Sequence, residues 1–325
     1  MNNKQLAEIA DATKTSKSTV SKVLNHCYGV GNDVRERVFL EKERITRDIS
    51  QKRHVPIYVI MPEAPDFFWN CNLLQCPGYE VKYNIYSKLG DTAMVMRYLK
   101  EAVMVEAKVI VIVAQIDDEI KSILEEIADR KLIIFLTELN HVVNTVYVGS
   151  NPIEDGKRLA ELCNHSLCTE DRILLVKDVL PCQSETSIAR LNSFLQEINP
   201  EIKYDMLEVE YRINVSWYPA TLARELSPFL EKYPYKNIVC FNGFTHHLCS
   251  ALQKIKKSYQ IKCYGFEKSP RSMEYVNMGY LKAVVCQNFT KQLGIAIGVA
   301  EKYLETGTCP SSKYVYVKSD LIEYL

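Results

Sequence analysis

The side chains with chemistry to offer gather first between residues 4 and 25, KQLAEIADATKTSKSTVSKVLN. Lys17, Ser18, Ser21 and Lys22 recur at helical spacing, away from the apolar Val20, Val23 and Leu24. Hydroxyls and ammonium groups on one helix face suit base-edge acceptors and phosphate oxygens. On this reading Lys17, Ser18 and Lys22 face base edges, while Ser16, Thr19 and Ser21 cap, pack or touch phosphate. Asn25 is counted with them, and Arg35, with Arg37, adds cations that could reach phosphate from the next helix.

The elements that must hold this face are written in the same stretch. Leu6, Ile9 and Ala10 mark a first helix, Thr13-Lys14-Thr15-Ser16 supplies a turn and an N-cap, and a second helix follows. That is a helix-turn-helix pattern, although the periodicity alone also fits an ordinary helical hairpin. A third helix is predicted from Asp33, which forms a capping box with Glu36 and turns Val34, Val38 and Ile45 towards the first two.

Composition sets this basic end on a larger body. The 325 residues are 47% hydrophobic and carry no net formal charge. Residues 1–53 nevertheless hold eleven Lys/Arg against seven Asp/Glu, so the remainder is mildly acidic, as expected of a nucleic-acid-binding terminus. Neither a signal-peptide pattern nor an apolar run of roughly eighteen residues occurs, which predicts a cytoplasmic protein with no membrane partner. The eleven cysteines, never spaced C-x-x-C, predict reduced and mostly buried thiols.

From Val55 onwards short apolar runs alternate with amphipathic stretches. Strands are predicted at 57–62, 79–86, 109–114, 132–137 and 146–149, with helices at 91–103 and 117–131. The cycle repeats with helices at 154–167, 185–198, 217–232 and 245–257 and strands at 172–177, 204–210, 237–241 and 261–266. The fold class is therefore α/β: two lobes with parallel sheets, a cleft between them, and a small all-α headpiece in front. Open sheets of this kind bind ligands at the carboxyl ends of their strands. Phe67, Phe68 and Trp69 after the first strand, and Trp217 before a second-lobe helix, stand where an apolar platform is needed, though each also suits a core.

Other constellations lead nowhere. Gly29-Val30-Gly31 lacks a third glycine and a preceding strand, and His246-His247 near Cys249 lacks metal-ligand spacing. With no nucleophile elbow, phosphate loop or paired-carboxylate motif, no enzyme activity, cofactor or metal is expected.

Two segments carry a family resemblance. SKSTVSKVLN followed by DVRERV resembles the DNA-binding headpiece of the LacI/GalR bacterial transcription regulators, whose pattern runs V-A-x-x-A-G-V-S-x-x-T-V-S-R-V-L-N and then T-R-E-R-V. In the body, PDFFW (65–69) sits where the family has N-P-F-F, and EDGKRLAEL (154–162) resembles the helix opening its second lobe. ARLNSF (189–194) resembles R-x-x-G-F, CFNGF (240–244) x-x-N-D, and YGFE (264–267) V-G-F-D, while VVCQNF (284–289) falls where a strand crosses between lobes.

The resemblance implies a periplasmic-binding-protein-like effector domain whose effector is a small polyhydroxylated molecule, most simply a sugar. Arg190, Asn242 and Glu267 match effector contacts, and Phe67, Phe68, Asp91 and Trp217 are grouped with them. It also implies a homodimer on a palindromic double-stranded DNA operator, acting as a repressor of carbohydrate-utilisation genes. The expected organisation is a headpiece over 1–48, a linker over 49–56 and the effector domain over 57–325. Lobe 1 takes about 57–150 and 288–308, and lobe 2 about 151–287 and 309–325. Five departures stand out: Lys14 and Ser193 replace glycines, Gly243 replaces a carboxylate, Glu267 replaces an aspartate, and the Tyr-x-Pro that precedes the family's hinge helix is missing. A rival of another class is a sugar-binding protein or enzyme on the same lobes, with the N-terminal helices as an interaction module.

Overall fold

The computed structural model describes residues 3–324 apart from 26, 28, 53–55, 64–73, 77, 88–89, 169–170, 179–183, 211–217, 242, 244 and 258–259, and apart from the side chains of 3, 4 and 46–52. Two compact units result, Met1–Pro56 with Gln75–Val81, and Ile57–Leu74 with Lys82–Leu325.

The first unit contains α1 (Asn3–Thr13), α2 (Lys17–Leu24) and α3 (Asn32–Lys52). Ile9, Ala10, Val20, Val23, Val38 and Ile45 bury together between them. Lys14, where the family has glycine, holds φ at 53°, so the turn requires the left-handed conformation and the lysine adopts it. Ser16 caps α2 by accepting from the Thr19 amide at 3.0 Å. α3 begins at Asn32, so Asp33 lies within its first turn and does not serve as the N-cap predicted for it. The helix runs unbroken to Lys52, making 49–52 helical where a linker was expected.

In the second unit the first lobe is built from β1 (Ile57–Pro62), β2 (Val81–Tyr86), α4 (Thr92–Met104), β3 (Val109–Ile112), α5 (Asp118–Ile127), β4 (Leu132–Leu136) and β5 (Val146–Gly149). The second takes α6 (Pro152–Ser166), β6 (Arg172–Asp178), α7 (Glu185–Glu197), β7 (Lys203–Val209), α8 (Tyr218–Lys232), β8 (Asn237–Cys240), α9 (Thr245–Lys254), β9 (Lys262–Phe266), α10 (Pro270–Asn277) and β10 (Leu281–Cys286). α11 (Phe289–Thr306) returns to pack on the first lobe's β3, β4 and β5. β11 (Tyr314–Tyr316) and β12 (Asp320–Glu323) complete the chain.

The sheets run β11-β5-β4-β3-β1-β2 and β12-β10-β9-β8-β6-β7; from β1 to β11 and from β7 to β10 neighbouring strands are parallel, and β12 is antiparallel to β10. Each reverses strand order beside its first strand, between β1 and β3 and between β6 and β8, which is where open α/β sheets form a ligand crevice. Alternation along the strands covers both faces of the second sheet: Leu174 and Val176 enter one core with α8 and α9, and Ile173 and Leu175 the other with α6 and α7. The lobe boundary differs from expectation at the C-terminus. Residues 314–316 pair with β5 in the first sheet, where the Tyr314 and Tyr316 rings meet Tyr147 edge-on. Only β12 belongs to the second lobe.

Candidate functional site

A buried charge cluster lies at the carboxyl ends of the second lobe's strands. Arg190, on the second turn of α7, is 2% exposed, and its Nη2 donates to Asp155 Oδ2 and to Glu267 Oε1 at 3.2 Å each. Its guanidinium lies 4.3 Å from the centre of the Phe266 ring. Asp155 on α6 also accepts from the Ser150 hydroxyl at 2.6 Å. Glu267, just past β9, is 5% exposed and accepts from Gln287 Nε2 at 2.7 Å, whose Oε1 in turn accepts from Gln292. The φ of 70° at Glu267 is the left-handed turn that aims this carboxylate back into the cluster. Arg190 Nε finds no partner among the described residues.

Burial alone would lower the Arg190 pKa, but the charges of Glu267 and Asp155 outweigh it and raise it. Burial likewise pushes the Glu267 carboxyl upward, against the lowering pull of Arg190 and Gln287. One cation thus serves more carboxylate than it can neutralise.

Glu138 adds a third acid from the first lobe, following Thr137, whose φ of 67° turns the chain at the end of β4. Its Oε2 accepts from the Ser184 hydroxyl of the second lobe at 2.8 Å, and next to it the Leu139 amide donates to Thr186 Oγ1 at 2.8 Å. Ser184 also caps α7, so a carboxylate sits at a helix N-terminus, where the helix dipole favours negative charge. Burial raises the Glu138 pKa, with Ser184 and Arg190 opposing it. Beside these bonds a cavity of ≈ 250 Å³ opens between the lobes, lined by Gln115, Asp118, Lys121 and Glu138 on one side and Ser184 and Glu185 on the other.

Of the residues singled out from sequence, Arg190 and Glu267 come together, Arg190 on α7, within the helix expected over 185–198, and Glu267 just past β9. Asp91 caps α4, accepting from the Met94 amide at 3.1 Å. Phe67, Phe68, Trp217 and Asn242 lie outside the described residues, as does Trp69. Glu138, Asp155, Ser184 and Gln287 were not picked out. Glu138 directly follows an apolar run, so the rule that ligands sit beyond carboxyl strand ends could have flagged it. Asp155 and Gln287 stood inside the quoted segments EDGKRLAEL and VVCQNF. Gly243, where the family has a carboxylate, makes room for Glu267, whose Cγ would lie 3.3 Å from an added Cβ.

In the first unit Ser16, Lys17, Ser18, Lys22 and Asn25 are exposed, and Thr19 and Ser21 partly so. Arg35 is turned inward to the preceding loop, its Nε donating to the Val30 carbonyl at 3.2 Å and its Nη2 to that of Cys27. These two bonds hold the loop. Among the described residues no group of His, Cys, Asp and Glu could hold a metal ion, and no helix is long and apolar enough to cross a membrane.

Several solved structures share the fold. GanP, a glucose-galactose binding protein from Geobacillus stearothermophilus, aligns with TM-score 0.70 and 12% identity over 83% of this chain and 98% of that one. A Bacillus halodurans solute binding protein with bound myo-inositol aligns with TM-score 0.69 and 16% identity, covering 84% and 95%. A Bacteroides fragilis protein designated a LacI transcriptional regulator gives TM-score 0.67 and 15% identity over 83% and 96%. Comparison with curated proteins yields no match. The periplasmic binding protein domain family matches residues 73–308, and the chain belongs to that family.

Proposed function

We propose that this chain is a ligand-responsive transcription regulator in which the cleft binds a small polyhydroxylated molecule, most simply a sugar, and the first three helices bind DNA as a homodimer. The observation that carries the DNA half is α2: a Ser16-capped helix with Val20 and Val23 buried and Lys17, Ser18 and Lys22 exposed. An exposed row of hydroxyls and ammonium groups on a helix held by two others is what major-groove reading needs. Dimerisation follows from reading a palindrome of two half-sites.

The ligand half is supported by the cleft chemistry. Glu138 lines the cavity between the lobes and offers an acceptor, and Gln115 and Ser184 beside it can each donate and accept, so paired hydroxyls of a sugar would find complementary partners. The solved structures with myo-inositol, D-allose or D-arabinose in place agree with this ligand class.

A second reading is a solute-binding protein that captures a sugar without touching DNA. It is favoured by the family match, which begins at residue 73 and leaves α1–α3 outside it, and by the many transport proteins among the similar structures. The comparisons therefore weigh on the body and lean towards this second reading, while the regulator reading rests on residues 3–52. A gel shift with the intact protein on palindromic DNA from its own upstream region, repeated across salt concentrations, decides between them. Salt-sensitive binding lost in Lys17→Ala and Lys22→Ala supports the regulator, and no binding at low salt leaves the solute-capture reading. A thermal-shift screen against a carbohydrate panel tests the cleft independently.

A further inference from the structure

Where the chain crosses from β11 to β12 a second cavity of ≈ 550 Å³ lies along α6, away from the cleft described above. Its size falls in the roughly 300–1,000 Å³ usual for small-molecule sites. Tyr316 forms one wall: it is 49% exposed, and its ring stacks on Tyr314 at 5.8 Å and 11°. Arg158 forms another, with Nη1 donating to the Ser319 carbonyl at 2.9 Å. That bond holds the guanidinium in place, and no carboxylate pairs with it among the described residues. Ser319 lines the cavity at 5% exposure, and its hydroxyl has no hydrogen-bond partner among the described residues. Lys157 is partly buried and Lys318 exposed on the same wall. Of the acids there, Glu154 and Glu161 are exposed to solvent, and Asp155 is already committed to Arg190 and Ser150.

We propose that this cavity is a second ligand site, taking a carboxylate or phosphate carried on a ring. A pinned guanidinium with donors to spare, next to an unsatisfied hydroxyl, matches an oxyanion, since a planar fork of N–H groups can meet two oxygens at once. The flat aromatic wall matches a ring. The site does not depend on what the cleft binds. It does share Asp155 with the Arg190 cluster, so an occupant would bear on the element that positions the cleft.

Isothermal calorimetry on the intact protein tests this with benzoate, and with inorganic phosphate as the ring-free probe. Benzoate should bind saturably and phosphate more weakly. Arg158→Lys keeps the charge but loses the fork, and should weaken benzoate about tenfold, as should loss of the hydroxyl in Ser319→Ala. Tyr316→Leu should reduce the preference for benzoate over phosphate. Ser319→Ala removes a hydroxyl that bonds nothing among the described residues, so the fold survives to be measured. Absence of saturable binding, or equal affinity in the parent and all three variants, overturns the site.

Discussion

Arg190 is held as a structural residue. Its charge is set against Asp155 and Glu267 in a region from which water is excluded, so removing it strands two carboxylates. Arg190→Ala is therefore expected to cost about 3–5 kcal/mol of stability in urea denaturation, with or without ligand. An unchanged midpoint would mean that solvent reaches these acids. The paired histidines give a different residue-scale effect. Burial pushes His246 down to about 3 and His247 to about 4. The unfolded chain, with histidine near 6.5, binds more protons than the folded one between those limits. Stability should then fall as pH drops from about 6.5 towards 4, by roughly 1 kcal/mol per pH unit for each histidine. Glu138 and Glu267, with raised carboxyl pKa, act oppositely, because the folded form takes up their protons first. Melting temperatures across this range should show the loss, and His246→Asn with His247→Asn should flatten it. A slope indifferent to that double change would rule the histidines out. At this scale the residue types were legible but not their pairing. Arg190 and Glu267 are separated by 77 positions, and only the strand order brings them within 3.2 Å.

Between elements, α6 comes close against α7, and the approach is set by what is missing. A Cβ added at Gly156 would meet the Arg190 carbonyl oxygen at 2.2 Å and Ser193 Oγ at 2.1 Å. Ser193, where the family has glycine, turns its hydroxyl back to the Ala189 carbonyl at 2.8 Å and so fits beside Gly156. Gly156→Ala is expected to force the helices apart, at a cost of about 1–3 kcal/mol. It should also weaken the cleft's ligand, since Asp155 and Arg190 ride on those two helices. Full stability and affinity in that variant would show that the contact relaxes freely. Helix and strand positions were readable to within a few residues because apolar periodicity reports burial directly. The start of α3 was misplaced by a residue because capping signals overlap in GNDVRE, and the helix continues into residues 49–52, which were assigned to the linker. If α3 continues to Lys52 on DNA, wedging into the minor groove is reduced and bending is modest. A sharp kink in circular-permutation gel shifts would contradict that.

At the scale of the whole molecule, the two lobes touch through Glu138 to Ser184 and Leu139 to Thr186. A ligand can then shift the protein only by the extra affinity it has for the closed cleft over the open one. The sequence made two lobes and a cleft legible, since strands and helices alternate twice. It could not show this latch, because Glu138 and Ser184 lie in segments with no periodicity and meet only after both lobes have folded. If the regulator reading holds, ligand and DNA are two partners of one equilibrium, and their coupling must be reciprocal. The factor by which the effector changes operator affinity must equal the factor by which operator changes effector affinity, with roughly 5–150-fold expected. Gel shifts with and without effector measure the first factor, and calorimetry of effector with and without operator the second. Ser184→Ala, which removes the latch donor, should lower both factors together. An effector that binds the cleft tightly yet leaves operator affinity unchanged would mean that the lobes capture ligand without signalling, which is the solute-binding behaviour.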